Sequence, residues 1–530
     1  MAKHRAAAPR SMPSDTGTRI LTVGRWLAIS AMAVVTLANC IQAFVFPLEL
    51  ELREGTVWLH VLAQRAGVSI YDHRQVAFVN MNHGPLDPLL KHWIADLLPF
   101  LTPATVTRFF VLLLPAGLFL AFWRSSRGKL AGAIGCSCGA YLFLLGLQAP
   151  HYLIGRSDPT ALFFFSLLLW SANERAASET RRSFMRFAAT GAIGGLVVLT
   201  NWRYLPAVGA AFTGFTIEAI AAAPFGRRVH VAAYHTIAWL LGALAPVALI
   251  FIGQFHGNVD LYYQHFFGIF TSESGWGTTA APTFTLLPGE LLRQREIMHF
   301  TAVIIATFGL AFPSPHLTRR LQTYVWLPLL VLLWCVCCVG YYINYGGGGL
   351  HYFGVFYVLL AFHLMRAVDW SRLSTFGAST VFQVILILSL PWTTTWAQCL
   401  ALARSSESAH AFIQVSRKTA NGTPIYSEDF HLFKERYTGE TIDVGDCVHA
   451  IAKSGYYGLD FTATANRSSV QLEKSPPQFV INGGLGSPSL QSLLSHSYTP
   501  VLRVPYLPAY PGPAQTLYRL KSPPPPWPNP

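Results

Sequence analysis

Trp26-Leu-Ala-Ile-Ser-Ala-Met-Ala-Val-Val-Thr-Leu-Ala-Asn-Cys-Ile-Gln-Ala-Phe-Val-Phe46 carries no charge anywhere along its length. Lys3, Arg5, Arg10, Arg19 and Arg25 precede it, and Pro47-Leu48-Glu49-Leu50-Glu51-Leu52-Arg53-Glu54-Gly55 follows it at once. About 20 apolar residues cross roughly 30 Å of hydrocarbon, so the stretch reads as a transmembrane helix. Basic residues mark the cytoplasmic side of such a helix, which puts the N-terminus inside and the acidic cluster outside. A basic segment before an apolar run also describes a secretory signal. The length of this run, and the lack of a small-residue cleavage site before Phe46-Pro47, favour a retained span.

Composition extends that reading to most of the chain. Its 530 residues are 52% hydrophobic and 12% charged, with mean hydropathy +0.38, against about 25% charged in soluble domains. The net charge of +13 would suggest a nucleic-acid partner in a soluble protein; here it reports topology, and no nucleic acid is expected. About eleven spans are predicted, at 26–46, 106–123, 130–147, 160–173, 187–200, 204–224, 231–254, 299–313, 323–342, 351–365 and 376–398. Every second gap is basic: Arg124, Arg127 and Lys129; Arg175, Arg181, Arg182 and Arg186; Arg227 and Arg228; Arg319 and Arg320; Arg366 and Arg372. An odd number of spans then puts the C-terminus outside.

The predicted organisation is a cytoplasmic segment over 1–25 and a transmembrane unit over 26–400 with long outer loops at 47–105 and 255–298. A small extracytoplasmic α/β domain over 401–520 and a Pro-rich tail over 521–530 follow. Within the outer loops, 57–66 and 89–98 read as helices lying on the membrane surface, apolar side down, with Arg65 or Lys91 upward. In the C-terminal part, 423–426, 478–482 and 501–504 read as strands, and 430–437 and 489–495 as helices. Six of the eight cysteines fall within spans, where a small apolar residue is the plain reading; Cys399 and Cys447 lie outside, where pairing is open. Cys335-Val-Cys337-Cys338 lacks the second ligand set of a metal site.

The long non-helical segments face outward, so chemistry is sought there. Carboxylates beside a bilayer are costly, and Glu49, Glu51 and Glu54 lie at the exit of the first span. They serve either as solvated helix-end charges or as a base in a cleft. Asn80-Met-Asn82-His83-Gly84-Pro85-Leu86-Asp87-Pro88 makes a rigid turn that presents His83 and Asp87, or one that caps the next helix through Asp87. Arg156 and Asp158 stand before the fourth span, where Asp158-Pro159 also suits an N-cap. Arg203 in Asn201-Trp202-Arg203-Tyr204 sits at the outer interface, where snorkelling is the plain explanation. Gly346 to Gly349, then His351-Tyr352-Phe353, is a glycine-rich turn opening a helix, an arrangement able to hold an anion.

The order of these motifs resembles the GT-C superfamily of integral membrane glycosyltransferases, over most of the chain. The features concerned are Glu54-Gly55, Gly67 to Tyr71, His83-Gly84-Pro85, Gly155-Arg156-Ser157-Asp158, Asn201-Trp202-Arg203, His351-Tyr352-Phe353 and the segment from Thr423 to Asp429. Two departures stand out: a Glu where the first-loop acid is more often Asp, and His351 where Asn is usual. The resemblance implies an α-helical polytopic fold and transfer of a sugar, with inversion, from a polyprenyl-phosphate donor to a cell-envelope glycan, lipid or protein. It implies Glu54 as general base with Glu51 in reserve, and Arg156, Arg203, His351 and Tyr352 around the departing phosphate. It places His83, Asp87 and Asp158 on the acceptor or cleft side. No metal ligands are implied; a divalent metal would be optional. The expected location is the inner (plasma) membrane. The rival readings are a transporter or lipid flippase, and a sensing protein whose tail is the active part.

Overall fold

The computed structural model describes residues 15–48, 50, 52–67, 69–71, 84–126, 130–172, 181–258, 260, 354–367, 392–423, 425–427, 476–482, 488–503 and 515–521. Its helices are α1 (Asp15–Val45), α2 (Leu52–Arg65), α3 (Leu86–Leu97), α4 (Pro103–Thr107), α5 (Phe109–Ser125) and α6 (Leu130–Leu153). After them come α7 (Ser157–Ala172), α8 (Arg181–Thr200), α9 (Leu205–Ala222), α10 (Arg228–Phe255), α11 (Gly354–Ala367) and α12 (Trp392–Ala420). Four stretches among the described residues are long and apolar enough to cross a membrane: Thr22–Val45, Pro103–Ser125, Trp202–Ala222 and Phe225–Phe255. Leu130–Leu145, Phe184–Thr200 and Gly354–His363 are shorter apolar helices. Each of the first seven predicted spans therefore falls on a helix. The spans predicted at 299–313 and 323–342, and most of 376–398, lie outside the described residues.

Lipid is as apolar as leucine, so a membrane bundle holds together by close packing rather than by hiding apolar surface. Leu27, Val34 and Ile41 of α1, and Val229, Leu244 and Leu249 of α10, are accordingly exposed, as side chains meeting lipid would be. Between α8 and α10 the backbones nearly touch: a Cβ on Gly242 would lie 1.9 Å from the carbonyl oxygen of Ala188. Only glycine permits that approach.

The two short helices after α1 differ from the expectation of surface helices. Val57 to Ala63 of α2 are buried, His60 included, so the helix is enclosed on every side. Lys91 of α3, expected to point into solvent, is wholly buried. Its ammonium finds a carboxylate and a backbone carbonyl inside, which offset its desolvation. Arg65 does reach outward and pairs with Asp96 at 3.0 Å.

Beyond the bundle lies a four-stranded sheet of β1 (Ile425–Ser427), β2 (Phe479–Asn482), β3 (Tyr498–Arg503) and β4 (Thr516–Leu520), with α13 (Pro488–Ser497) before β3. The strand order is β1-β2-β4-β3, with β1 parallel to β2 and the other pairs antiparallel. Alternate side chains leave opposite faces of a strand. Phe479, Ile481 and Leu517 join the same core as Ala409 and Phe412 of α12, whereas Val480 packs with Leu490 and Leu494 of α13. A helix thus covers each face. The strands predicted at 423–426, 478–482 and 501–504 overlap β1, β2 and β3, and the helix at 489–495 overlaps α13; β4 was not foreseen, and 430–437 lies outside the described residues. The span end at 398 and the domain start at 401 fall inside α12, which runs unbroken until Asn421 (φ 45°) and Gly422 (φ 82°) turn left-handed.

Candidate functional site

The helix formed by α4 and α5 is interrupted at one residue, Arg108, whose backbone leaves the α region at φ −97°, ψ 11°. That break turns its side chain toward the end of α1. A helix leaves its last carbonyls without partners, and a cation there also meets the negative end of the helix dipole. Arg108 Nη1 donates to Ala43 O at 2.9 Å and to Phe46 O, and Nη2 to Leu48 O. The same guanidinium grips Glu54 with two bonds, Nε to Oε1 at 2.7 Å and Nη2 to Oε2. Glu54 Oε2 further accepts from Leu50 N at 2.7 Å, and Oε1 from Gly155 N. Both side chains are fully buried. The first-loop carboxylate is thus held by four donors from three parts of the chain.

The Gly155 backbone carries the link onward. Its N–H serves Glu54 and its carbonyl accepts from Lys91 Nζ at 2.7 Å. Lys91 also donates to Asp87 Oδ2 at 2.7 Å and, more distantly, to Arg156 O at 3.4 Å. Thr160 Oγ1 donates to the other oxygen of Asp87 at 2.6 Å. Burial pushes the Asp87 carboxyl up, opposed chiefly by Lys91, and pushes the Lys91 ammonium down, opposed chiefly by Asp87. Gly155 must be glycine here, because a Cβ would meet Thr107 Cβ at 2.7 Å and Thr107 O at 2.8 Å.

Arg156 and Asp158 complete the group, with Arg156 Nε 3.7 Å from Asp158 Oδ2. Asp158 lies in the first turn of α7. Asn201, after α8, donates to Asp158 Oδ1 at 3.2 Å and to Ser157 Oγ at 3.4 Å. Its own Oδ1 accepts from Arg203 N at 3.2 Å, capping the short 3-10 turn Trp202–Tyr204. Arg203 lays its guanidinium over the Trp202 ring, 5.4 Å from the centroid. Nearby, Gly84 N donates to Thr200 O at 3.0 Å, tying the Gly-Pro turn to the end of α8.

Three carboxylates (Glu54, Asp87, Asp158) and three cations (Lys91, Arg108, Arg156) therefore meet around one residue, Gly155, all buried. Buried charges persist only when paired and hydrogen-bonded, and here each has a partner. Of the residues nominated from the sequence, Glu54, Asp87, Arg156 and Asp158 come together, with Arg203 attached through Asn201. Asp87 caps no helix: α3 has Pro85 at its N-cap, and the Asp87 carboxylate is engaged by Lys91 and Thr160 instead. Glu51, His83, His351 and Tyr352 lie outside the described residues. Arg108, Lys91 and Asn201 were not nominated. A lone arginine within an otherwise apolar span, and an acid four residues before a lysine on one helix, were the available signals.

At the opposite ends of the helices α9 and α11, Arg366 forms a two-bonded pair with Glu218 at 3.0 and 2.8 Å, beside His363 and the Phe215 ring. Among the described residues no three His, Cys, Asp or Glu side chains gather as metal ligands would.

No family model matches the chain, and no curated protein matches it. Among solved structures it is similar to ArnT from Cupriavidus metallidurans. To the structure bound to undecaprenyl phosphate the identity is 13% and the TM-score 0.49, covering 95% of this chain and 98% of that one. To the apo structure the identity is 14% and the TM-score 0.48, covering 96% and 98%. At such identities the likeness gives no residue a role.

Proposed function

We propose that the chain is a membrane glycosyltransferase of the GT-C type, moving a sugar from a polyprenyl-phosphate donor to a cell-envelope acceptor on the extracytoplasmic face. The observation that carries this reading is the buried gathering of carboxylates and cations about Gly155. It lies where helix ends meet the loops that the charge pattern assigns to the outside, as a reaction on a lipid headgroup requires. A transporter tends to keep its ionisable residues near the middle of its spans. The acidic and basic pairs described above instead sit at helix ends, which supports the transferase.

In an inverting transfer the acceptor hydroxyl attacks the anomeric carbon while the bond from that carbon to the phosphate oxygen breaks. The electron pair leaves with the polyprenyl phosphate, and the hydroxyl proton passes to a carboxylate. Cationic or dipolar groups stabilise the departing phosphate as charge develops. In this proposal Arg156 and Arg203 supply that charge, with His351 and Tyr352 from the glycine-rich turn. Asp87 and Asp158 shape the cleft, with His83 on the acceptor side. Both oxygens of Glu54 are engaged by structural donors. That supports Glu54 as the anchor of the first loop and Glu51, three residues earlier, as the base.

The test compares Glu51→Gln and Glu54→Gln in purified full-length protein, following release of undecaprenyl phosphate from a panel of undecaprenyl-phosphate-linked pentoses and hexoses. Loss of a general base costs about a hundred-fold to ten-thousand-fold in turnover. Glu51→Gln is expected to lose that much with unchanged thermal stability, whereas Glu54→Gln loses stability as well. Full turnover in Glu51→Gln rejects its role, and a wild-type protein inert toward every donor rejects the transferase.

A further inference from the structure

We propose that Arg108 is a positioning residue for this reaction: acting through Glu54, it sets the geometry of the loop that leaves α1. The inference rests on the transferase reading above. A guanidinium has five N–H donors in a rigid planar fork. All five are used here, on Ala43 O, Phe46 O, Leu48 O and the two oxygens of Glu54. With no donor left over, Arg108 is not itself a phosphate ligand, although it lies in the buried cluster and carries the right charge. What it does is join three things: the carbonyl end of α1, the backbone of the following loop, and the carboxylate that begins α2.

The connections close a ring. Arg108 holds Leu48 by its carbonyl; Glu54, held by Arg108, holds Leu50 by its N–H at 2.7 Å. Leu48, Leu50 and Glu54 are thereby tied, directly or through the Glu54 carboxylate, to one side chain from another helix. Glu54 also takes the Gly155 N–H, so the loop is set against the segment bearing Arg156 and Asp158. The interruption of the α4–α5 helix at Arg108 aims the fork at the end of α1. Its backbone N–H is meanwhile kept on Ala104 O at 3.1 Å.

Lysine retains the charge but offers three donors from a single point and no fork. Arg108→Lys should therefore keep the pair with Glu54 and lose the simultaneous hold on the α1 carbonyls. A misplacement of about 1 Å at a site can cost about a hundred-fold in rate. In the full-length enzyme, assayed with an undecaprenyl-phosphate-linked sugar that the wild type turns over, Arg108→Lys should lower kcat about a hundred-fold and leave the donor KM within about three-fold. In Arg108→Ala, purified with and without methylguanidinium, the added ion should restore kcat in a saturable way. A role in stability alone would change the amount of folded protein and not kcat per folded molecule. Wild-type kcat in Arg108→Lys, a defect confined to KM, or no response of Arg108→Ala to methylguanidinium overturns the proposal while the transferase stands. A wild type inert toward every donor removes both.

Discussion

Replacing Lys91 with methionine isolates the second buried pair of the site. The side chains are similar in length, so the change removes charge and donors with little loss of volume. Asp87 loses its 2.7 Å partner and keeps, among the described residues, Thr160 at 2.6 Å, while the carbonyls of Gly155 and Arg156 lose the donor they share. Removing one member of a buried ion pair costs about 3–5 kcal/mol, because the other charge is left uncompensated. The loss should depend on pH, and its sign follows from Asp87. Burial already raises its carboxyl above the ordinary value, and Lys91 is the chief opposing influence; without Lys91 it rises further. A carboxyl raised in the folded state binds its proton more tightly there than when unfolded. The variant is therefore closest to wild type below the unfolded value of about 4, and falls away as pH rises toward the folded value, by at most about 1.4 kcal/mol per pH unit. The double variant Asp87→Leu with Lys91→Met removes both charges and should recover most of the loss. The assay is denaturant unfolding in mild detergent, followed by tryptophan emission, at pH 4.5 and pH 8 for all three proteins. Wild-type stability in Lys91→Met at pH 8, or a loss independent of pH that the double variant shares, would refute the reasoning.

Gly155→Ala should destabilise by about 1–3 kcal/mol, because its Cβ would press on the Thr107 backbone. Gly139→Ala, whose Cβ would meet nothing within 4 Å, serves as the control and should be neutral or stabilising by up to about 1 kcal/mol; equal effects on thermal unfolding would contradict the packing account. For the pair at the far ends of α9 and α11, a double-mutant cycle over Glu218→Gln and Arg366→Met should give a coupling of about 1–2 kcal/mol. The side chains are 14% and 12% exposed, so solvent screens the pair somewhat. A coupling near zero would mean that the two helices are joined by apolar packing alone.

Much of the fold could be read from the sequence because lipid imposes a simple rule on length and polarity. The uncharged run at 26–46 becomes α1, whereas α7 starts at Ser157, so that Asp158 lies inside its first turn rather than at the N-cap and Pro159 is its third residue rather than its first. The site was half legible. Glu54, Arg156 and Asp158 stand out as charges beside apolar runs, and Asp87 through the rigid Gly84-Pro85 turn that presents it. Arg108 and Lys91 do not: Lys91 reads as a cation pointing up from a surface helix, and nothing in the sequence beside Arg108 names a partner for it. Besides Glu54 and Asp87, their partners are backbone carbonyls of Ala43, Phe46, Leu48 and Gly155, and a carbonyl has no identity in a sequence. The enclosure of α2 was hidden for a related reason. His60 makes its pattern look amphipathic, yet the residue is buried with its neighbours. β4 escaped because it lies close to a proline-rich tail, and its partners β2 and β3 are distant in sequence.

Helix α12 spans 29 residues, about 43 Å at 1.5 Å per residue. Near its start the Thr395 carbonyl accepts from Asn39 of α1 at 3.3 Å, and toward its end Phe412 lies in the core shared with the sheet. A continuous helix transmits rotation as well as position. One residue added between those contacts would swing the sheet about 100° round the helix axis and lift it about 1.5 Å. The strand layer is consequently mounted on a stiff mast, in fixed phase with the bundle, rather than trailing from a tether.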